Sequence, residues 1–413
     1  MRKEEFFKDA VPNSNGPLEG IRVMEATTAV AGPLVGTLLA DLGAENIKIE
    51  QPGTGDMCRR TGPFVESSSP LDSSSLFLSV NRNKKNITLN LKSPKGQELF
   101  KELARRMDIL VENFKPGTLS GWGLGYEEIK QVKPDIIYTS VSGYGQFGPR
   151  SPKPSYDAVG QAMGGLMGVT GYEDGPPLRA GFGLGDDLAG WQGAFGSIAA
   201  LVYRMKTGKG QHVDISQQDT ILYCSDWGVM SAANANYQWK RMGSRVPGAS
   251  PYNTYRCKDD YVFIAITLDS HWARFCKIIG REELIDDPRT HSRPTRAENW
   301  QLVEEVVNGW VKERTAAEVV DTLDEAQLVC VPIMSFQQLI RDEHVLQRDM
   351  VVEVEHPLAG PLKLYGVGPK FSVSPGRVRM PAPMLGQHNE EVYGGLLGLG
   401  SKEMTALREE GVV

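Results

Sequence analysis

IRVME (21–25), AGPLVGTLLADLGA (31–44) and NIKIE (46–50) decide the fold. The first and third stretches are short, rich in Ile and Val, and read as strands. Between them Leu34, Leu38, Leu39 and Leu42 recur at helical spacing and give one apolar side. Strand, helix and strand in so short a span form a βαβ unit, whose two strands run parallel. The alternation continues outward. Ser93-Pro94 sets an N-cap before a proline at the first helical position, where the missing N–H costs nothing. Leu99, Phe100, Leu103, Ala104 and Met107 then mark a helix. DILVEN (108–113) and DIIYTSVSGYG (135–145) are further strands. The expected fold class is α/β, with a largely parallel sheet covered on both faces.

Other segments frame this half. Residues 1–16 are polar and are expected to fray. A loop rich in Gly, Pro and Ser follows the third stretch. Residues 216–239 have helical spacing, YVFIAITL (261–268) reads as a strand, and 298–313 as a helix. Thr315 and Glu318 form a capping box for another. These elements suit a small inserted domain at 225–330. VVEVEHP and PLKLYGV return to strands before a C-terminal helix.

Composition narrows the function. The 413 residues are 40% hydrophobic and 23% charged, enough for a sizeable core. A net charge of −6 argues against nucleic-acid binding by phosphate neutralisation. The best apolar run, Ala194 to Tyr203, is half the ~20 residues of a membrane span, and the N-terminus has no signal-peptide stretch. Five widely spaced cysteines make no disulfide framework or zinc pattern. A cytoplasmic protein without membrane or nucleic-acid partners is expected. None of the six histidines has metal-ligand spacing, so no metal site is expected. There is no P-loop and no G-x-S-x-G elbow. Gly143, Gly145 and Gly148 match G-x-G-x-x-G, but Pro149 follows and no helix opens there to receive a pyrophosphate.

Two clusters remain. In Gly181-Phe182-Gly183-Leu184-Gly185-Asp186-Asp187, glycines border a carboxylate and let a bulky ligand approach the backbone. Asp186 then falls in the first turn of the helix that follows, where the macrodipole favours its ionised form. An equally simple reading makes Asp186 or Asp187 the N-cap of that helix. Asn113-Phe114-Lys115-Pro116-Gly117 ends a strand on the side where open α/β sheets bind ligands. Its amide, aromatic face and cation suit adenine or phosphate; an ordinary strand exit is the alternative.

Longer blocks carry a resemblance. PLEGIRVMEATTAVAGP (17–33), LLADLGAENIKIEQPGTGD (38–56), ENFKPGTLSGWGLGYEEI (112–129), SVSGYGQFGP (140–149), GLGDD (183–187), KTGKGQHVDISQQD (206–219) and APMLGQHNEEV (382–392) resemble the family III CoA-transferases. That group includes formyl-CoA:oxalate, carnitine and benzylsuccinate CoA-transferases. The resemblance implies a Rossmann-like large CoA-binding domain at 17–224, after an N-terminal extension at 1–16. It implies a small inserted α/β domain at 225–330 and a segment at 331–413 that completes the large domain. It also implies an interlocked dimer, of the chain with itself or with a related subunit. The implied nucleophile is Asp186, and the implied CoA contacts are Val30, Ala31, Leu89, Lys92, Asn113, Phe114, Lys115 and Asp157. CoA enters as the acyl-CoA substrate, with no tightly bound cofactor.

The implied reaction moves CoA from an acyl-CoA, succinyl-CoA for instance, to a carboxylic acid such as benzylsuccinate. It runs through an aspartyl anhydride and an aspartyl-CoA thioester. Gly121 and Gln51 stand where relatives carry arginine, so Arg59, Arg60 or Lys84 is expected to meet the CoA phosphates instead. The same fold hosts 2-methylacyl-CoA racemases, which place histidine before the aspartate matching Asp157. Tyr156 stands there, and a phenol with a pKa of ~10 is a poor proton acceptor at neutral pH. A subunit of a heteromeric transferase is the remaining alternative.

Overall fold

The computed structural model describes residues 1–413. Six parallel strands form the main sheet: β1 (Arg22–Ala26), β2 (Glu45–Glu50), β3 (Lys84–Thr88), β4 (Ile109–Glu112), β5 (Ile137–Ser142) and β6 (Gln211–Ser216). Their order is 3-2-1-4-5-6, that of the doubly wound dinucleotide-binding fold. The order reverses between β1 and β4, which pair from Val23↔Ile109 to Ala26↔Glu112. That reversal opens a crevice at the carboxyl ends of both strands.

Residue alternation sends each strand's side chains to two cores. Val23, Ile109, Val111, Ile137 and Val141 face α1 (Ala31–Asp41) and the long α4 (Leu184–Thr207). Met24, Ile47, Ile87 and Leu110 face the opposite layer, which includes α2 (Pro94–Ala104) and the helices Asn389–Leu397 and Ser401–Glu409. Helix α3 (Asp157–Met163) precedes α4, and α5 (Gln217–Tyr223) follows β6 directly. A hairpin, Val351–His356 with Gly360–Tyr365, belongs to the same unit.

Small residues bring these layers close. A Cβ on Gly190 of α4 would lie 2.8 Å from Leu34 of α1. One on Gly36 would lie 1.6 Å from Glu25 Oε2 and 2.4 Å from Asn46 Nδ2, two buried groups hydrogen-bonded to each other. Gly36→Ala is therefore expected to cost ~1–3 kcal/mol by overpacking. An unchanged urea midpoint for that variant would contradict this close approach.

The chain divides into two compact units. One holds Met1–Leu166, Arg179–Met230 and Glu343–Val413; the other holds Met167–Leu178 and Ser231–Asp342. Sequence spacing predicts the inserted domain at 225–330. The second unit contains an antiparallel sheet of Tyr252–Arg256, Tyr261–Ala265 and Val329–Pro332. Tyr255, Val262, Ile264, Trp272, Phe275, Val303, Val307 and Leu323 fill its core. Thr315 and Glu318 cap Ala316–Glu325 reciprocally, as the sequence predicts.

The N-terminal residues differ from expectation. Lys3–Phe6 form a helical turn, Lys3 pairs with Asp349 at 2.7 Å, and the Val11 N–H donates to the Val373 carbonyl at 2.8 Å. These tertiary bonds hold the polar segment in place. All five cysteines are free thiols. No helix is long and apolar enough to cross a membrane.

Candidate functional site

The crevice between β1 and β4 is bridged by one side chain. Asn113, just past β4, accepts the Thr28 N–H at 2.9 Å and donates to the Thr28 carbonyl at 2.8 Å. Gly32 permits this approach, since a Cβ there would lie 2.7 Å from the Asn113 amide carbon. Asp56 holds the same turn from the other side. Its Oδ1 accepts from Thr28 Oγ1, the Ala29 N–H and the Cys58 N–H at 3.0, 3.0 and 2.9 Å. Its Oδ2 lies 2.9 Å from Lys48 Nζ. Ala29 has φ +65°, a strained value for a non-glycine residue that these bonds enforce. Below lie more buried charges. Lys84 Nζ meets Glu25 Oε1 at 2.8 Å, and Arg59 meets Glu50 and Asp72 at 2.8 and 2.9 Å. The Thr27–Val30 turn is thus fixed before any ligand arrives.

Asp186 lies in the first turn of α4. Gly183 is the N-cap and has no side chain to offer. Asp157 of α3 does the capping instead, accepting the Gly185 N–H at 2.8 Å. It is itself held by Gln161 and by Arg179, the latter at 3.0 Å. This overturns the N-cap reading of Asp186. Asp186 Oδ1 accepts a hydrogen bond from Gln217 Nε2, while Oδ2 takes none from the protein. Burial, together with the charges of Asp157 and Asp187, pushes the Asp186 carboxyl up to about 7, and the Gln217 amide opposes that rise. The helix dipole was expected to keep this acid ionised; burial and two like charges outweigh it.

Asp186 opens on a cavity of about 830 Å³. Its wall is chiefly apolar: Val30, Leu34, Leu38, Trp191, Phe195 and Ile198 are among the lining residues. Trp191 and Phe195 of that wall are themselves exposed.

The sequence-derived candidates divide among several places. Val30, Asp157 and Asp186 line the large cavity. Leu89, Lys92 and Phe114 line a separate groove of about 400 Å³, together with Thr27, Thr28 and Gln51. The Thr27–Val30 turn therefore contributes to both. Ala31 is buried as the first residue of α1. Asn113 braces Thr28 with its carbonyl oxygen and one amide N–H. Lys115 is exposed, beside a small pocket that includes His212 and Gln146.

Two expected phosphate cations are corrected. Arg59 is fully buried, with its donors given to Glu50, Asp72, the Leu71 carbonyl and the Pro383 carbonyl. Lys84 is buried against Glu25, the Pro33 carbonyl and Asn81. Arg60 alone of the three is exposed. Tyr156 is 69% exposed and does not line the cavity. No group of three or more His, Cys, Asp or Glu side chains is arranged to hold a metal ion. Sequence reasoning passed over Gln217 and Asp56. Each acts through partners from distant segments, and no spacing along the chain signals that.

Comparison with known proteins agrees with this architecture. The family model described as CoA-transferase family III matches residues 18–389. The succinyl-CoA–D-citramalate CoA-transferase of Chloroflexus aurantiacus is 36% identical, over 96% of this chain and 98% of its own. The succinyl-CoA:glutarate CoA-transferase of Mus musculus is 37% identical, over 97% of this chain and 91% of its own. The crystal structure of a CAIB/BAIF family protein from Brucella suis superposes with a TM-score of 0.83 at 30% identity, over 92% of this chain and 100% of that one. The chain is an enzyme of CoA-transferase family III.

Proposed function

We propose that this protein transfers CoA from succinyl-CoA to a carboxylic acid with Asp186 as the covalent relay. The observation that carries the reading is a carboxylate with one oxygen held by Gln217 and the other free, opening on a large apolar cavity. Both relatives named above are succinyl-CoA transferases, which supports the donor.

Asp186 Oδ2 attacks the thioester carbonyl and expels CoA thiolate, leaving a mixed anhydride. The thiolate attacks the aspartyl carbonyl, forms a thioester there and releases the donor acid as its carboxylate. The acceptor carboxylate attacks that thioester, expels the thiolate again and forms a second anhydride. Thiolate attack on the acceptor carbonyl then yields the new acyl-CoA and restores Asp186. One thioester replaces another, so no ATP is consumed, and each difficult exchange is split into smaller steps. CoA runs along the groove of Leu89, Lys92 and Phe114, crosses the Thr27–Val30 turn at Val30 and Ala31, and brings its thioester to Asp186. Lys92 supplies a cation in that groove.

The apolar wall favours an acceptor with an aryl or alkyl substituent, a substituted dicarboxylate such as benzylsuccinate. ATP-free CoA exchange from succinyl-CoA to a panel of acids tests this, with citramalate and glutarate as the less apolar members. Preference for those two over every substituted acid would reject the apolar acceptor. Hydroxylamine trapping with succinyl-CoA, followed by peptide mass mapping, is expected to label Asp186. Label on another acid would reject the relay.

The active unit proposed is an interlocked dimer, with itself or with a related subunit. Trp191, Phe195, Val202 and Met205 of α4 are exposed apolar side chains spaced along one helix side, which supports a covering partner. Native mass of the chain expressed alone distinguishes the two cases.

The reaction rate should depend on pH through the nucleophile. A protonated Asp186 cannot attack, so the rate is expected to fall about tenfold per pH unit below about 7 and to level off above it. A flat profile between pH 5 and 8 would contradict this.

A further inference from the structure

Gln217 is 5% exposed and sits at the first position of α5. Gly160 of α3 makes room for it, since a Cβ there would lie 2.8 Å from the Gln217 Cβ. Its amide is clamped at both ends. The Ser155 hydroxyl donates to Gln217 Oε1 at 2.9 Å, and Gln217 Nε2 donates to Asp186 Oδ1. Reversing the amide would set Oε1 against a carboxylate oxygen, two acceptors face to face. Ser155 and Asp186 therefore agree on one orientation. A buried amide fixed in this way presents an N–H at a constant position with no reorganisation when charge develops.

We infer that Gln217 is a catalytic residue, whose side-chain N–H stabilises the oxyanion formed on Asp186 Oδ1 each time a nucleophile attacks the aspartyl carbonyl. The inference rests on the relay reading of Asp186. Because Oδ1 is held, Oδ2 is the oxygen that attacks and becomes the bridge of the anhydride. When the CoA sulfur bonds to the aspartyl carbon, the carbonyl π pair moves onto Oδ1. When that pair returns, the bond to the bridging oxygen breaks and the donor acid leaves with its electrons as a carboxylate. Attack by the acceptor carboxylate puts the same charge on the same oxygen before thiolate departs. Gln217 loses no proton in either step. It is present in the resting enzyme as a donor to the carboxylate, where it also favours the ionised form.

Gln217→Met keeps the side-chain length and removes the donor. It is expected to lower kcat by ~10²–10³-fold, the usual loss for one oxyanion donor, with KM for acyl-CoA changed by less than about threefold. The ascending limb of its pH–rate profile is expected to move above that of the wild type, because the hydrogen bond that opposes protonation is gone. A residue that only packed would move neither the limb nor the kcat-to-KM split in this way. Ser155→Ala leaves Gln217 in place but frees its amide to turn. It is expected to lower kcat by ~3–10-fold at unchanged KM, and serves as the second variant should Gln217→Met melt early. Asp186→Asn is run alongside. If Asp186→Asn is inactive while both other variants keep kcat within about threefold of wild type and the same pH limb, the role of Gln217 is overturned and the relay stands. If Asp186→Asn transfers CoA normally, the relay itself has failed.

Discussion

Replacing Asp186 by alanine or asparagine is expected to reduce CoA transfer by at least about 10⁴-fold, the scale on which loss of a covalent nucleophile is felt. Without the carboxylate, the acceptor would have to attack the thioester directly, at a carbon the site does not prepare for it. Folding should survive the change. The Asp186 carboxyl is pushed up to about 7 by burial and by Asp157 and Asp187, so its ionised form opposes folding at higher pH. That cost is absent below the usual carboxylate range, builds as pH rises toward about 7, and is complete above it. At pH 8 the asparagine variant is therefore expected to melt no lower than the wild type. Thermal melting at pH 8, with transfer assayed in the same preparation, checks both halves. A variant that transfers CoA at a normal rate would sink the assignment, and one that melts well below wild type would contradict the electrostatics.

Arg59→Met should be the most damaging change to stability. Arg59 is fully buried, and its guanidinium ties Glu50, Asp72 and two backbone carbonyls together. Methionine fills much of the volume but leaves two carboxylates buried without their cation. Breaking a buried pair in this way costs ~3–5 kcal/mol. The loss should appear as a lower urea midpoint at pH 7. A midpoint within error of wild type would show that water or another cation replaces Arg59.

The βαβ core was legible because its signal is periodic. The strands at 21–25 and 46–50 appear within one residue of where alternation puts them, and the helix between starts at Ala31 as leucine spacing predicts but ends at Asp41, three residues short of 44. The same alternation misleads about polarity. Glu25, Lys48 and Glu50 interrupt apolar runs as if they faced water, yet all three are buried. In a parallel sheet covered on both faces no position is outside, so a charge at a central strand end must find a partner within. Those partners, Lys84, Asp56 and Arg59, come from other segments, and composition does not reveal the pairing. The site was legible unevenly for the same reason. Glycines mark the approach to Asp186, and family resemblance singles it out. Gln217 lies 31 residues further on, and only the folding of α3 and α4 onto α5 brings it to the carboxylate.

The braced turn at Thr27–Val30 also bears on attempts to redirect this enzyme toward other acids. Asn113, Asp56 and Lys48 lock its shape through bonds that tolerate little change. Leu38 and Ile198, by contrast, present only hydrocarbon to the cavity. Combinatorial libraries confined to such wall positions would sample new acceptors on a stiff foundation, whereas randomising the braces would yield mostly misfolded clones.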